Sequence, residues 1–363
     1  MKLKLTVPNR SQLIAVTMLV TSASVGYAVT VPNTFTSGSP AVAADVNANF
    51  NSLVTALTAA EASISSLQAS LATANTKIAA LEAKLANVSV VTYNGQPTVR
   101  FSGVNVQVVN GAGSTGVVDG KGNLIVGYDT ARSDTASFCS AGHAVTQADC
   151  TAAGGAWAVS HKSGSHNLVI GDQNNYSSYG GMVVGYRNTI NGARASVAGG
   201  MYNTARTNNT SVLGGYGNTA GGTGSAAAGS GAAVSGGSIN VASGTYASVS
   251  GGRRATASGP DASVSGGSYN VASGSAASVS GGGGDFPNFG LIASGSFSSA
   301  TAGSSSEASA AYSGIHGGSG NNADVHGSII GGGYGCDASS LGTLATGRWA
   351  AGGLSSGCNL WNN

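Results

Sequence analysis

The residues best placed to do chemistry gather around Cys139. His143, Cys150, His161 and His166 follow it in the pattern C-x3-H-x6-C-x10-H-x4-H, and thiolate and imidazole are the usual zinc ligands. The pattern lacks the close C-x2-C or H-x3-H pairs by which small zinc modules grip the metal, so a zinc centre is the lesser of two readings. The other uses Cys139, Cys150, Cys336 and Cys358 as two sequence-local disulfides, Cys139–Cys150 and Cys336–Cys358, although four cysteines allow three pairings. His316 and His326 could meet a metal across a threefold axis, but they read more simply as exposed turn residues.

Other catalytic patterns are missing. No G-x-x-x-x-G-K-[ST] occurs, so no nucleotide cofactor is expected. Beyond residue 89 the carboxylates stand at Asp119, Asp129, Asp134, Asp149, Asp172, Asp261, Asp285, Glu307, Asp324 and Asp337, with no pair recurring at a fixed spacing. Neither glycosidase chemistry nor a calcium-binding β-roll follows from that pattern. What does recur is tyrosine: Tyr128, Tyr186, Tyr202, Tyr216 and Tyr269 each follow a glycine turn. Tyrosine offers a rigid apolar face with a polar tip, suited to contact with sugar or protein, or simply to packing between subunits. With Trp157, which lies in an insertion spanning residues 133–162, these tyrosines form the candidate contact surface.

The elements that must position these residues are set by composition. Of 363 residues 59 are glycine and only 28 are charged, against about a quarter charged in an average domain. Small side chains must therefore pack the core. A basic nucleic-acid binder, a charged disordered tail and a mixed α/β enzyme are excluded. Residues 1–28 carry Lys2, Lys4 and Arg10, then the apolar run Leu13–Val20, then Gly26-Tyr27-Ala28. That is the pattern of a secretory signal cut after Ala28, too short to span a bilayer. The expected product is exported, extracellular or at a bacterial cell surface, with 12 basic and 13 acidic residues and no transmembrane anchor. An oxidising compartment suits the cysteines.

Residues 29–44 hold two prolines and read as an extended leader. Residues 45–89 carry a heptad pattern free of glycine and proline. Phe50, Leu57, Ile64, Leu71, Ile78 and Leu85 recur every seven residues, with Val46, Leu53, Ala60, Leu67, Ala74, Leu81 and Val88 between them. This is the seam of a left-handed coiled coil about 65 Å long. A second copy of the chain must cover it, and mixed Leu and Ile at one seam position with Leu and Ala at the other favours a homotrimer over a dimer. Residues 90–122 show β-branched alternation around Asn94-Gly95 and Asn110-Gly111, a short β connector.

From residue 123 to 350 the chain repeats. Ser248 to Ala262 and Ser263 to Ala277 are two copies of one 15-residue unit. Its apolar anchor runs through Ile125, Val169, Val183, Val197, Val212, Val234, Val249, Val264, Val279, Ile315, Ile329 and Leu344. Asparagine recurs five or six residues after the anchor, at Asn174, Asn188, Asn203, Asn218, Asn240 and Asn270. A unit so short suits two strands and two tight corners, hence one coil of a β-solenoid of about twelve coils. Ala257 and Ala262 should face inward with the valines. Residues 351–363 are a C-terminal tail.

The unit Ser-Val-Ser-Gly-Gly-x-x-Asn-x-Ala-Ser-Gly-x-x-Ala resembles the head repeat of trimeric autotransporter adhesins, the YadA-like head. The resemblance implies a left-handed parallel β-roll in a homotrimer and a surface adhesin without catalysis, binding a surface, matrix or glycan. The chain departs from that family in placing the coil before the head, in lacking barrel strands after it, and in replacing Val-Ala-Ile-Gly by Val-Ser-Gly-Gly. Two other expectations stand beside it: a tail-spike-like enzyme cutting polysaccharide in grooves between subunits, and an ice- or crystal-binding solenoid using serine ladders.

Overall fold

The computed structural model describes residues 29–133, 137–225, 227–284 and 290–339, and the backbone of 349–352 and 358–361. The expected signal segment 1–28 and the anchor Leu344 lie outside the described residues. The chain divides into two units, Met1–Val106 and Gln107–Asn363.

In the first unit helix α1 spans Ala43–Lys84. The leader is extended and is tied to the first helical turns by an amide exchange: the Asn33 amide donates to Asn49 Oδ1 (2.9 Å), and Asn49 Nδ2 donates back to the Asn33 carbonyl (2.8 Å). No residue of α1 is buried within the single chain. Phe50, Leu57, Ile64 and Leu71 are 53–61% exposed, and Ile78 is partly covered. The helix ends before the heptad pattern does. Leu85 is its C-cap and Val88 already opens strand β1, Val88–Tyr93. The β-branched run Val88-Ser-Val-Val-Thr prefers a pleated surface, and here that preference overrides the last seam position. Strand β2, Gln96–Phe101, pairs antiparallel with β1 through Asn94-Gly95, both at positive φ, the backbone of a two-residue hairpin turn. Val104–Val108, expected to alternate as a strand, pairs with none among the described residues.

The second unit is a parallel β-solenoid with turns of about 15 residues. Each turn contributes one strand to a first sheet and one to a second. The first sheet begins at β3 (Leu124–Val126) and climbs in register from Val169 to Val183, Val197, Val212, Val234, Val249, Val264 and Val279. The second sheet has ten strands, so there are about ten complete turns where about twelve were expected. Its inward column is Tyr176, Ile190, then alanine at 205, 220, 242, 257, 272, 293, 308 and 323. Valine opposes alanine across a core one side chain thick, and both are fully enclosed. Each valine contributes on the order of 2 kcal/mol by leaving water.

Two anchors need correction. Ala300 continues the valine column after Val279, a position hidden in the sequence because a lone methyl does not stand out. Ile330, not Ile329, then follows Ile315 inward; Ile329 pairs with Gly314 on the outer face. The expected tail also enters the sheet: Trp349–Gly352 pairs parallel with Ile329–Gly332, and Cys358–Trp361 turns back antiparallel on it.

The asparagines form a ladder along one corner. Asn188, Asn203, Asn218 and Asn240 each donate their backbone amide to the side-chain oxygen of the asparagine one turn below, at 2.8–3.0 Å. Each side-chain NH2 donates to the carbonyl four residues back and to a glycine carbonyl one turn above, as Asn218 Nδ2 does to Gly214 (2.8 Å) and Gly237 (3.0 Å). Every polar atom of the buried amide is thereby used. Asp129 starts the ladder, accepting from the Asn174 amide at 2.9 Å while paired with Lys162. Ala255 interrupts it: its amide donates to Asn240 Oδ1 at 2.9 Å, and its methyl offers no acceptor to the turn above. The same corner carries glycines such as Gly252, at φ 100°, where a Cβ would sit 2.4 Å from the Gly267 carbonyl oxygen.

Two outcomes follow. Asn218→Ala should cost about 2–4 kcal/mol, because it leaves buried backbone groups unpaired, whereas Ala255→Asn should stabilise by about 0.5–2 kcal/mol by joining the ladder between Asn240 and Asn270; denaturant titration of both variants checks the opposed signs. At the base of the second sheet, burial, followed by the charge of Asp129, pushes the Tyr176 phenol up to about 12. Folding thus favours its neutral form, a stabilisation complete below about pH 10 and lost as pH rises through about 12. Unfolding midpoints should fall over that window and fall less steeply in Tyr176→Phe; parallel curves would refute the assignment.

Candidate functional site

The glycine turns that follow the first sheet create a corner with two outward positions per turn. In the first position Tyr186, Met201, Tyr216, Ser238, Arg253 and Ser268 lie directly one above another as bridged residues. In the second stand Arg187, Tyr202, Gly217, Ile239, Arg254 and Tyr269, each just before the ladder position. The sequence spacing treated the tyrosines as one series; the structure splits them between these two columns.

The columns interlock into a ridge. Tyr202 meets Tyr186 edge-on at 6.4 Å between ring centroids, and meets Tyr216 at 5.6 Å. The Arg187 guanidinium lies over both Tyr186 and Tyr202 (5.3 and 5.7 Å), donates to the Tyr202 hydroxyl at 3.1 Å and to Gln173 Oε1 at 2.6 Å. Further along, Arg253 and Arg254 flank Tyr269 at 5.4 and 5.6 Å. Tyr186, Met201, Tyr202, Tyr216 and Ile239 all keep 37–49% of their surface in water. Such a run of exposed apolar area beside fixed guanidinium groups suits a partner that offers rings together with anionic or hydroxyl groups.

The backbone makes this surface costly. Arg187, Tyr202, Ile239, Arg254 and Tyr269 have φ between 54° and 59°, the left-handed region. Gly217, Gly320 and Gly335 take the same conformation at equivalent corners. A side chain there is strained by about 1–2 kcal/mol relative to glycine, and such strain concentrates where a surface has work to do.

The other expected residues are placed elsewhere. Tyr128 follows β3 and is 96% exposed; no ring contact joins it to the ridge among the described residues. Beside it the hydroxyl and amide of Thr130 bind the Asp172 carboxylate (2.8 and 2.6 Å) and hold it below its usual range. Trp157 belongs to the insertion and is partly buried against the Cys139–Cys150 disulfide. That bridge, with an S–S distance of 2.02 Å, joins strand β4 (Phe138–Cys139) to helix α2 (Gln147–Ala152). Strand β5 (Trp157–Ala158) pairs antiparallel with β4. Thr146 caps α2 by accepting from the Asp149 amide at 3.1 Å. The zinc reading fails here because the two sulfurs bond each other, while His161 Nε2 meets the Phe138 carbonyl and His166 Nδ1 that of Thr115. The second expected bridge, Cys336–Cys358, includes a side chain outside the described residues. His326 packs edge-on against Tyr312, whose ring stacks on Phe297 at 5.1 Å.

Sequence reading missed the arginines and the second corner. Arg187 directly precedes the ladder residue Asn188, so following every residue before the recurrent asparagine would have found it; Arg253 and Arg254 precede Ala255, where no asparagine marks the corner. Tyr246, Phe297 and Tyr312 occupy left-handed positions on the opposite corner. They fall before the anchor rather than after it, and the search followed only the turns after it.

No protein-family model and no curated protein matches the chain.

The stapled insertion depends on its disulfide for shape, since its few side chains bury little else. Replacing both cysteines, Cys139→Ser with Cys150→Ser, should expose residues 137–160 to limited proteolysis while leaving the far-ultraviolet β signal of the solenoid unchanged. An insertion equally resistant without its bridge would refute this.

Proposed function

We propose that the chain is an exported, surface-displayed homotrimeric fibre of adhesin type, a YadA-like head on a coiled-coil stalk, that holds a surface, matrix protein or glycan without catalysis. The observation that carries the reading is the tyrosine and arginine ridge: exposed aromatic and cationic side chains held in left-handed backbone on a scaffold packed largely by small residues. A rigid repeat presenting exposed side chains at a fixed turn spacing suits multivalent grip on an extended partner, where many weak contacts add without new ordering cost.

The stalk supports the oligomeric half of the proposal. Phe50, Leu57, Ile64, Leu71 and Ile78 line one stripe of α1, with most of them well exposed in the single chain. Covering that stripe requires other copies of the same helix. The carboxylates support a non-catalytic reading over a tail-spike enzyme: Asp129 is spent on Lys162 and the Asn174 amide, and Asp172 on Thr130. An ice-binding face is less favoured, because the outward serine column at 248, 263, 278 and 299 is broken by Ala233 and Gly314.

Sedimentation of residues 29–363 should give the mass of three chains, and Leu71→Asp should shift it towards one; a stable monomer in the parent protein sinks the trimer. In binding to a panel of immobilised matrix proteins and glycans, Arg187→Ala combined with Tyr202→Gly should lower affinity roughly tenfold or more without loss of stability, the usual effect of removing central aromatic and arginine anchors. Unchanged binding would remove the ridge from the contact surface.

A further inference from the structure

Arginines of the solenoid are, as a rule, engaged. Arg187 binds Gln173 and Tyr202, Arg194 binds Asn209 and Tyr179, and Arg253 and Arg254 lie over Tyr269. Arg206 differs. It stands beside the second sheet, one residue beyond the inward Ala205, and is partly buried. Among the described residues its guanidinium makes no hydrogen bond, ion pair or ring contact. Burial opposes its charge and holds its basicity below the usual arginine range. A guanidinium taken from water without a partner is costly, and a folded protein keeps one where an anion will meet it.

Arg206 lines a cleft of about 330 Å³ between the stapled insertion and the outer face of the second sheet. That volume is at the small end of the range for ligand pockets. Phe138, Ala144, Val145 and Trp157 give the insertion side an apolar and aromatic wall, and Thr189, Asn191 and Thr204 give the sheet side hydroxyls and an amide. The walls are fixed. Asn191 Nδ2 donates to the Cys139 and Ser140 carbonyls at 3.2 and 3.1 Å, fastening the insertion to the sheet. Gly142 lets the two approach, since a Cβ there would lie 2.5 Å from the Arg206 carbonyl oxygen. Arg132 adds a second positive charge; it donates to the Gln173 and Asn188 carbonyls and to Thr189 Oγ1, and lies over Phe138 at 5.8 Å. Among the described residues no carboxylate lines the cleft.

We propose that this cleft binds an oxyanion carried on a small hydroxylated ring, an acidic sugar, with the anion received by Arg206 and the ring lying against Trp157 and Phe138. The Arg206 guanidinium sets the sign of the ligand. Aromatic walls suit the apolar face of a sugar ring, and the threonine hydroxyls suit its hydroxyl groups. The site is separate from the ridge, so it stands whether or not the ridge is a contact surface.

Titration of residues 29–363 with glucuronate, glucose and sodium sulfate, followed by calorimetry, tests the assignment. Glucuronate should bind at least about tenfold more tightly than glucose, and Arg206→Gln should weaken it by about tenfold or more, as expected for loss of a charge-assisted bond. Trp157→Ala should weaken glucuronate but not sulfate. Arg206→Lys, which keeps charge but loses the planar fork, should fall between parent and Gln variant and serves as the readout if Arg206→Gln does not fold. Equal binding of glucose, sulfate binding as tightly as glucuronate, no glucuronate binding at millimolar concentration, or indifference to both Arg206 variants would each overturn the proposal. Tyr202→Gly should leave glucuronate affinity unchanged, which separates failure of this site from failure of the ridge.

Discussion

Everything in the solenoid depends on turns lying in strict register, so that each backbone amide finds its acceptor one turn away. Parallel pairing of two-residue strands is weak alone, and a slip by one residue would turn valine outward and serine inward. Register is therefore fixed from the side. Asn188, Asn203, Asn218 and Asn240 each bridge their own turn to the turns above and below, through one acceptor and two donors. An amide with all its bonds made inside the protein locks one alignment, because any other leaves it buried and unpaired.

That constraint explains the odd composition. The interior holds one side chain from each sheet, so valine faces alanine and nothing larger fits along most of its length. Larger residues appear towards its ends, Tyr176 and Ile190 at one and Ile315 and Ile330 at the other, and at Leu291, which fills a corner left by the missing asparagine. Glycine fills the corner because the next turn's carbonyl occupies the place of a Cβ, as at Gly252. Charged and aromatic groups are left only the outward corner positions and the insertions.

The repeat was legible because it is enforced in every turn. Valine at 234, 249, 264 and 279, asparagine five or six residues after the anchor, and inward Ala257 and Ala262 are visible as a period, and all take the places that period implies. It failed where chemistry is carried by small or isolated residues. Ala300 substitutes for valine with less to see, and the doublet Ile329-Ile330 gives no hint of which points inward. Tyrosines were found but not their two columns, since Tyr186 and Tyr202 differ by one corner position that spacing of 16 against 15 barely marks. Arg206 could not have been found at all: its significance lies in the lack of a partner among the described residues, and the insertion that encloses it is more than forty residues away in the chain.

The ridge and the cleft are unlike in construction, and the difference has a physical origin. Tyr202, Arg254 and Tyr269 are held in left-handed backbone by turns that cannot relax without breaking bonds to the neighbouring turns, so strain of about 1–2 kcal/mol per corner is sustained by the stacked turns. A surface built that way is rigid, and it repeats at the turn spacing whatever its ligand. The cleft instead needs an element outside the lattice. The insertion, closed by Cys139–Cys150 and fastened through Asn191, covers part of a sheet face and partly shields Arg206 from water. A solenoid alone offers edges and flat faces, and concavity has to come from chain that leaves the repeat and returns.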